Sequence, residues 1–314
     1  METILITGGS GFLGRQLAIS LRDKYRVILA ARNNGNNQLA QVKTGCIVAP
    51  MDITSITSVH DTINEFKPDI IIHAAATKFV DISEQYPMEC IDINVTGSQN
   101  IARIAMEKGV KKVIGISTDK AAPPVGNIYG HSKAIMERMF CALDKKSNTR
   151  FVTVRFGNIA WSTGSVFPIW QRMIANGGKI ESTGYDQRRF FFLVNDAADL
   201  VITAMDHIDE LHGGILSLKM KAAQIKDILD VWTKEQKVTW EKIAARPGDK
   251  TDEVLVGAIE LPYTREIFID NNHYYFVRFD EKQQNNLTTE IASYNAEKLS
   301  EKEISRIINT TPLI

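Results

Sequence analysis

The first half of the chain alternates short runs of Ile and Val with longer stretches that carry one apolar face. Continuous apolar runs between amphipathic segments are what a parallel sheet covered on both faces requires, because its strands meet helices on either side. The pattern predicts strands over residues 3–6, 26–31, 46–49, 70–73, 112–116 and 151–155, with helices opening near Gly11, Ser55, Pro87 and Tyr129. This is a Rossmann-type α/β arrangement, a doubly wound parallel sheet. Past Gly157 the pattern becomes irregular, resumes as a helix over 194–207, and beyond Gly213 mixes short strands with helices near Ala223 and Glu297. The expected organisation is a dinucleotide-binding domain over 1–160, rejoined by about 186–210, and a smaller mixed α/β substrate lobe from 161–185 and 211–314. Residues 33–37 read as a short polar loop, and Phe190, Phe191 and Phe192 as core where the lobe rejoins the main sheet. No fixed-period repeat or low-complexity segment interrupts the order.

The first predicted strand runs into Gly8, Ser10, Gly11, Phe12, Leu13 and Gly14, a G-x-x-G-x-x-G turn that opens a helix. Glycines there permit a tight turn and close approach of a pyrophosphate, whose charge the free amides of a helix start stabilise. The second strand ends at Arg32, without the acidic residue that holds a ribose 2′-hydroxyl, so the expected cofactor is NADP rather than NAD. Asp52 and Ile53 follow the third strand, where a carboxylate either meets the adenine amino group or caps the next helix.

Tyr129 and Lys133 stand one helical turn apart, and an ammonium beside a phenol favours the phenolate that removes a hydroxyl proton while hydride leaves the same carbon. Ser117, Thr118, Asp119 and Lys120 directly follow the fifth strand, where ligands meet a parallel sheet. Alcohol oxidation or 4-epimerisation needs no further acid and base there. Elimination does: oxidation of a sugar at C4 acidifies the C5 hydrogen, a base removes it, and an acid protonates the departing 6-hydroxyl. Asp119 fits the acid and Lys120 the base, the plainer alternative being a loop with an Asp cap and a solvated lysine.

Composition narrows the partners. Lys plus Arg and Asp plus Glu number 37 each, which gives no global attraction for nucleic acid or an anionic membrane. Three cysteines without paired spacing suggest neither a metal site nor a disulfide framework, and no apolar run approaches the ~20 residues of a membrane-spanning helix. A cytoplasmic protein acting on a small molecule is expected.

On these residues the chain resembles, along nearly all its length, the extended short-chain dehydrogenase/reductase superfamily, and within it the UDP-N-acetylglucosamine 4,6-dehydratases of polysaccharide biosynthesis. The matching stretches are His73-Ala-Ala-Ala-Thr-Lys78-Phe-Val, Pro87 to Gly97 with Asn94, Ser117 to Ala122, Arg155-Phe-Gly-Asn158, Gly164 to Pro168, and Arg246-Pro-Gly-Asp-Lys250. The resemblance implies a nucleotide-sugar substrate contacted by Lys78, Asn158 and Arg246. It implies an NADP site lined by Ser10 to Leu13, Arg32, Asp52, Ala74, Lys133 and Ile159, chemistry at Asp119, Lys120 and Tyr129, and a homo-oligomer. Family members often invert C5 during dehydration, so that outcome is implied too. The pairing surface falls on apolar positions in 101–106 and 135–143, unless these are core. Three departures bear on specificity: residues 121–128 run one residue longer than is usual, His131 replaces a small residue, and Trp161 and Tyr185 occupy substrate-facing stretches, as platforms or as packing. The competing functions are a nucleotide-sugar 4-epimerase or reductase, and a catalytically silent NADP-binding protein.

Overall fold

The structure is a computed structural model that describes residues 1–243, 250–284 and 287–311. Its centre is a nine-stranded sheet. Strands β1 (Thr3–Thr7), β2 (Arg26–Ala31), β3 (Ile47–Pro50), β4 (Ile70–His73), β5 (Lys112–Ile116) and β6 (Arg150–Val154) lie where the apolar runs place them, in the spatial order β3-β2-β1-β4-β5-β6 and all parallel. Strand order reverses between β1 and β4, so a crevice opens at their carboxyl ends, which positions the site.

Alternate residues of β1 explain the two covered faces. Ile4 and Ile6 pack into a core shared with Leu17, Leu200 and Val201, while Leu5 joins Ile63, Ile101 and Phe140 on the opposite face. Ile101, Ala102, Ile104 and Ala105 are buried there, so of the two candidate pairing stretches 101–106 is core, whereas Ile135 is 50 % exposed.

Three expectations change. Residues 33–37 are not a loop: Asn33 accepts a hydrogen bond from the Asn36 amide and caps helix α2 (Asn34–Thr44), whose polar face hid its helical period. The strand 215–218 extends the main sheet beside β6, and the hairpin of Thr264–Ile269 and Asn272–Val277 finishes its edge, although the sequence suggested that this region builds the smaller lobe. Their lengths and mixed polarity gave no sign of which sheet they join. Finally, Arg188–Phe192 pairs not with the main sheet but with 158–159 and 222–224; Phe190, Phe191 and Phe192 are core as expected, split between two clusters.

A third core holds Trp161, Phe167, Trp170, Phe191 and Trp232, with ring centroids 5.3 to 6.2 Å apart. Trp161 is therefore packing, its Nε1 donating to the Ile307 carbonyl at 2.9 Å. Tyr185 packs against Trp240 under the Lys242 ammonium and does not line the cavity. No helix among the described residues is long and apolar enough to cross a membrane.

Candidate active site

A cavity of about 960 Å³ opens over the carboxyl ends of β1, β4 and β5 and reaches into the aromatic-cored region. Its floor is the glycine turn. Gly8 has φ +67, and a Cβ there would meet the backbone of Ala75 at 2.8 Å; a Cβ on Gly14 would meet the Gly8 and Gly9 backbones at 2.7 Å. Only glycine lets β1, the strand beside it and helix α1 (Phe12–Leu21) close this tightly. No side chain among the described residues caps α1. The turn thus suits an anionic pyrophosphate, and the residues fit a dinucleotide.

The walls bring together nearly all the expected cofactor residues: Gly8, Ser10, Gly11, Phe12, Leu13, Gly14, Arg32, Ile53, Ala74, Lys133 and Ile159. Asp52 is the exception. Its Oδ1 accepts from the Thr54 amide at 3.0 Å and the Thr54 hydroxyl at 2.9 Å, a local turn that leaves the helix cap to Ser55. Arg15, which the sequence reading passed over, also lines the cavity, its Nη1 donating to the Ser10 carbonyl and its buried Nε lacking a partner among the described residues. Arg15 immediately follows the last glycine, and that position was the available signal.

Of the expected substrate residues, Lys78 and Asn158 line the cavity. Protein packed around Lys78 lowers its ammonium pKa. Arg246 lies outside the described residues.

A buried polar chain fixes the helix that carries Tyr129 and Lys133 (Ile128–Asp144) to the sheet. Thr7 Oγ1 and His73 Nδ1 are 2.8 Å apart, His73 Nε2 and Ser98 Oγ 2.9 Å, and Ser98 donates to the Asn94 carbonyl at 2.6 Å. Asn94 donates to Ser132 at 2.9 Å, and Ser132 donates to the Tyr129 carbonyl at 2.7 Å. Burial drives the His73 pKa down to about 3, so this ring is a neutral connector. Arg155, fully buried, holds the same helix from the other side. It forms paired bonds of 2.9 and 2.7 Å to Glu137 and of 2.8 and 2.8 Å to Glu260, and donates to the Leu255 carbonyl at 2.9 Å.

Thr118, Lys120, Tyr129 and Lys133 all line the cavity, and Asp119 sits beneath the first two, 1 % exposed. Asp119 Oδ1 accepts from the Thr118 hydroxyl at 3.0 Å and from Lys120 Nζ at 3.0 Å. Its Oδ2 is buried without a partner among the described residues. Burial raises the Asp119 pKa against the pull of the Lys120 ammonium, and Glu253 adds to the rise. Burial therefore works toward the protonated carboxyl and the Lys120 ammonium works against it.

Lys120 Nζ also lies 3.2 Å from Glu253 Oε1, a carboxylate that the sequence reading did not identify. Burial alone would favour the amine, but Asp119 and Glu253 outweigh it and hold Lys120 charged. Glu253 belongs to a segment remote in sequence, with no local motif to mark it. Burial pushes Tyr129 up to about 12, opposed first by the Lys120 charge and then by a hydrogen bond with Thr118. Lys133, expected to be the cation acting on the phenol, instead has its Nζ 3.4 Å from Met136 Sδ, and burial lowers it to about 8. Among the described residues no cluster of His, Cys, Asp and Glu could hold a metal ion.

Residues 4–272 match the family described as polysaccharide biosynthesis protein. A UDP-N-acetylglucosamine 4,6-dehydratase (inverting) of Campylobacter jejuni is 31 % identical, over 99 % of this chain and 98 % of its own. A UDP-glucose 4-epimerase of Rickettsia massiliae is 29 % identical, over 98 % of this chain and 96 % of its own. Among solved structures, the X-ray structure of Pen from Bacillus thuringiensis superposes with a TM-score of 0.90 at 28 % identity, covering 100 % of this chain and 98 % of that one.

Proposed function

The chain belongs to the polysaccharide biosynthesis protein family of the extended short-chain dehydrogenases/reductases, and from that premise we propose that it is an NADP-dependent 4,6-dehydratase of a nucleotide-activated N-acetylhexosamine, with UDP-N-acetylglucosamine the first candidate. The observation that carries this reading is the contact of Asp119 with Lys120 at 3.0 Å directly under a cavity that Tyr129 also lines. An epimerase needs the tyrosine but no second acid and base.

A nicotinamide dinucleotide, which the glycine turn, Arg32 and Lys133 would hold, would supply the hydride acceptor for oxidation at C4 and the hydride for C6. Tyr129, as the phenolate that the Lys120 charge favours, takes the 4-hydroxyl proton, and Lys133 would help hold the cofactor. Lys120 removes the C5 hydrogen, and Asp119 holds the proton that leaves with the 6-hydroxyl, with the Thr118 hydroxyl donating to its Oδ1 at the cavity wall. Lys78 and Asn158 orient the nucleotide sugar, as does Arg246. Return of the C5 proton to the opposite face inverts that centre. Arg15 and Arg32, neither with a carboxylate partner among the described residues, favour a 2′-phosphate and hence NADP over NAD.

Exposed apolar side chains at Ile82, Tyr86, Met88, Ile91 and Ile135 cluster on neighbouring helices and support a homo-oligomer. The buried free thiols of Cys46, Cys90 and Cys141 suit the reducing cytoplasm.

Mass spectrometry after incubation with UDP-, GDP-, dTDP- and CDP-sugars tests the reading. Loss of water to a 4-keto-6-deoxy product from the UDP-N-acetylhexosamine is expected. A C4 epimer of unchanged mass, or stoichiometric consumption of NADPH, would replace it with the epimerase or the reductase.

A further inference from the structure

A base must be neutral when it acts, yet Lys120 lies between two carboxylates that favour its ammonium. Its ammonium lies 3.0 Å from Asp119 Oδ1 and 3.2 Å from Glu253 Oε1, and both carboxylate side chains are 5 % exposed or less. Among the described residues, the other charged and titratable groups that act on this cluster are Arg189, whose Nε is 3.7 Å from Glu253 Oε1, and the Tyr129 phenol. Asp119 is the wrong acceptor for the lysine proton, because on the reading above it has to deliver the proton that leaves with the 6-hydroxyl. Glu253 has no such duty. Its backbone amide donates to Ser293 Oγ at 3.1 Å, and the Ser293 amide donates back to its carbonyl at 2.8 Å, so the carboxylate is held in place from outside the catalytic loop.

We propose that Glu253 is the positioning residue that governs Lys120, taking its ammonium proton before elimination and giving it back afterwards. The proposal rests on the reading of Lys120 as the base. One Nζ–H bond breaks as an Oε1–H bond forms. The freed nitrogen lone pair then takes the C5 hydrogen as a proton, the C5–H electron pair becomes the C5–C6 double bond, and the C6 oxygen leaves with the Asp119 proton as water. As hydride returns to C6, Lys120 returns a proton to C5 and recovers another from Glu253. Asp119 is reprotonated by the proton that Tyr129 took from the 4-hydroxyl, so substrate loses one water and the enzyme is restored.

Because the transfer is internal and exchanges no proton with solvent, native elimination should be flat with pH. Single turnovers of native protein, Glu253→Gln and Glu253→Asp with UDP-N-acetylglucosamine and NADP, over roughly pH 6 to 9, separate cofactor reduction by absorbance from water loss by mass spectrometry. In Glu253→Gln the lysine must lose its proton to solvent, so elimination should fall about tenfold for each unit of decreasing pH while cofactor reduction persists. Glu253→Asp should restore the flat profile. Native-rate elimination in Glu253→Gln, a uniform loss without a slope, or loss of cofactor reduction in both variants would overturn the proposal. A Lys120→Met protein that still eliminates would instead remove the base reading itself.

Discussion

Lys120 meets two carboxylates in the folded protein, Asp119 at 3.0 Å and Glu253 at 3.2 Å, whereas the contact of Lys133 is the Met136 thioether at 3.4 Å. Both side chains line one cavity and burial acts against both charges, but it wins only at Lys133, which falls to about 8, while Lys120 is raised. A desolvated ammonium beside a thioether is easily neutralised, whereas one beside protein carboxylates keeps its charge. The two halves of the site, around Lys133 and around Lys120, thus differ electrostatically.

The sharpest way to break this contrast is Lys120→Met, which should lower elimination by about 10³-fold while cofactor binding, followed by fluorescence, remains. A smaller effect tests the frame that holds both halves. Arg155→Met leaves Glu137 and Glu260 buried without their cation, and chemical denaturation should show a loss of about 3–5 kcal/mol. On the cofactor side, Arg32→Ser should weaken NADP binding by about 1.5–3 kcal/mol, read by titration calorimetry, and leave NAD binding nearly unchanged.

The smallest effect concerns the charge of Lys133. Below about 8 its ammonium is already present, so binding of an anionic dinucleotide costs no proton. Above that value the bound state favours the charged form and must take up a proton, so affinity should fall by about tenfold per pH unit at most as pH rises. Lys133→Met should remove this dependence from the dissociation constant measured at successive pH values.

These two halves were also unequally legible in the amino-acid sequence. The glycine turn, Arg32 and the Tyr129/Lys133 spacing are local patterns imposed by helix and turn geometry, and the structure gathers them around one cavity. Thr118, Asp119 and Lys120 are legible for the same reason, being consecutive at a strand end. What stayed hidden depends on distant pairing. Glu253 reaches Lys120 from a segment whose strand partner is at 291–292, and Glu137 and Glu260 meet Arg155 only after folding. Asp52 misled because a carboxylate after the third strand has two uses, and here the local turn with Thr54 took it. The edge hairpin 264–277 escaped because alternation shows that a strand forms, not which sheet receives it.

The most direct test follows hydrogen at C5 during turnover of UDP-N-acetylglucosamine in deuterium oxide. If Lys120 and Asp119 carry out an elimination next to a transient ketone, the dehydrated product should carry solvent deuterium at C5, and Lys120→Met should yield neither the product nor the label. Dehydration with C5 unlabelled and unaffected by Lys120→Met, or a C4 epimer with no loss of water, would contradict it.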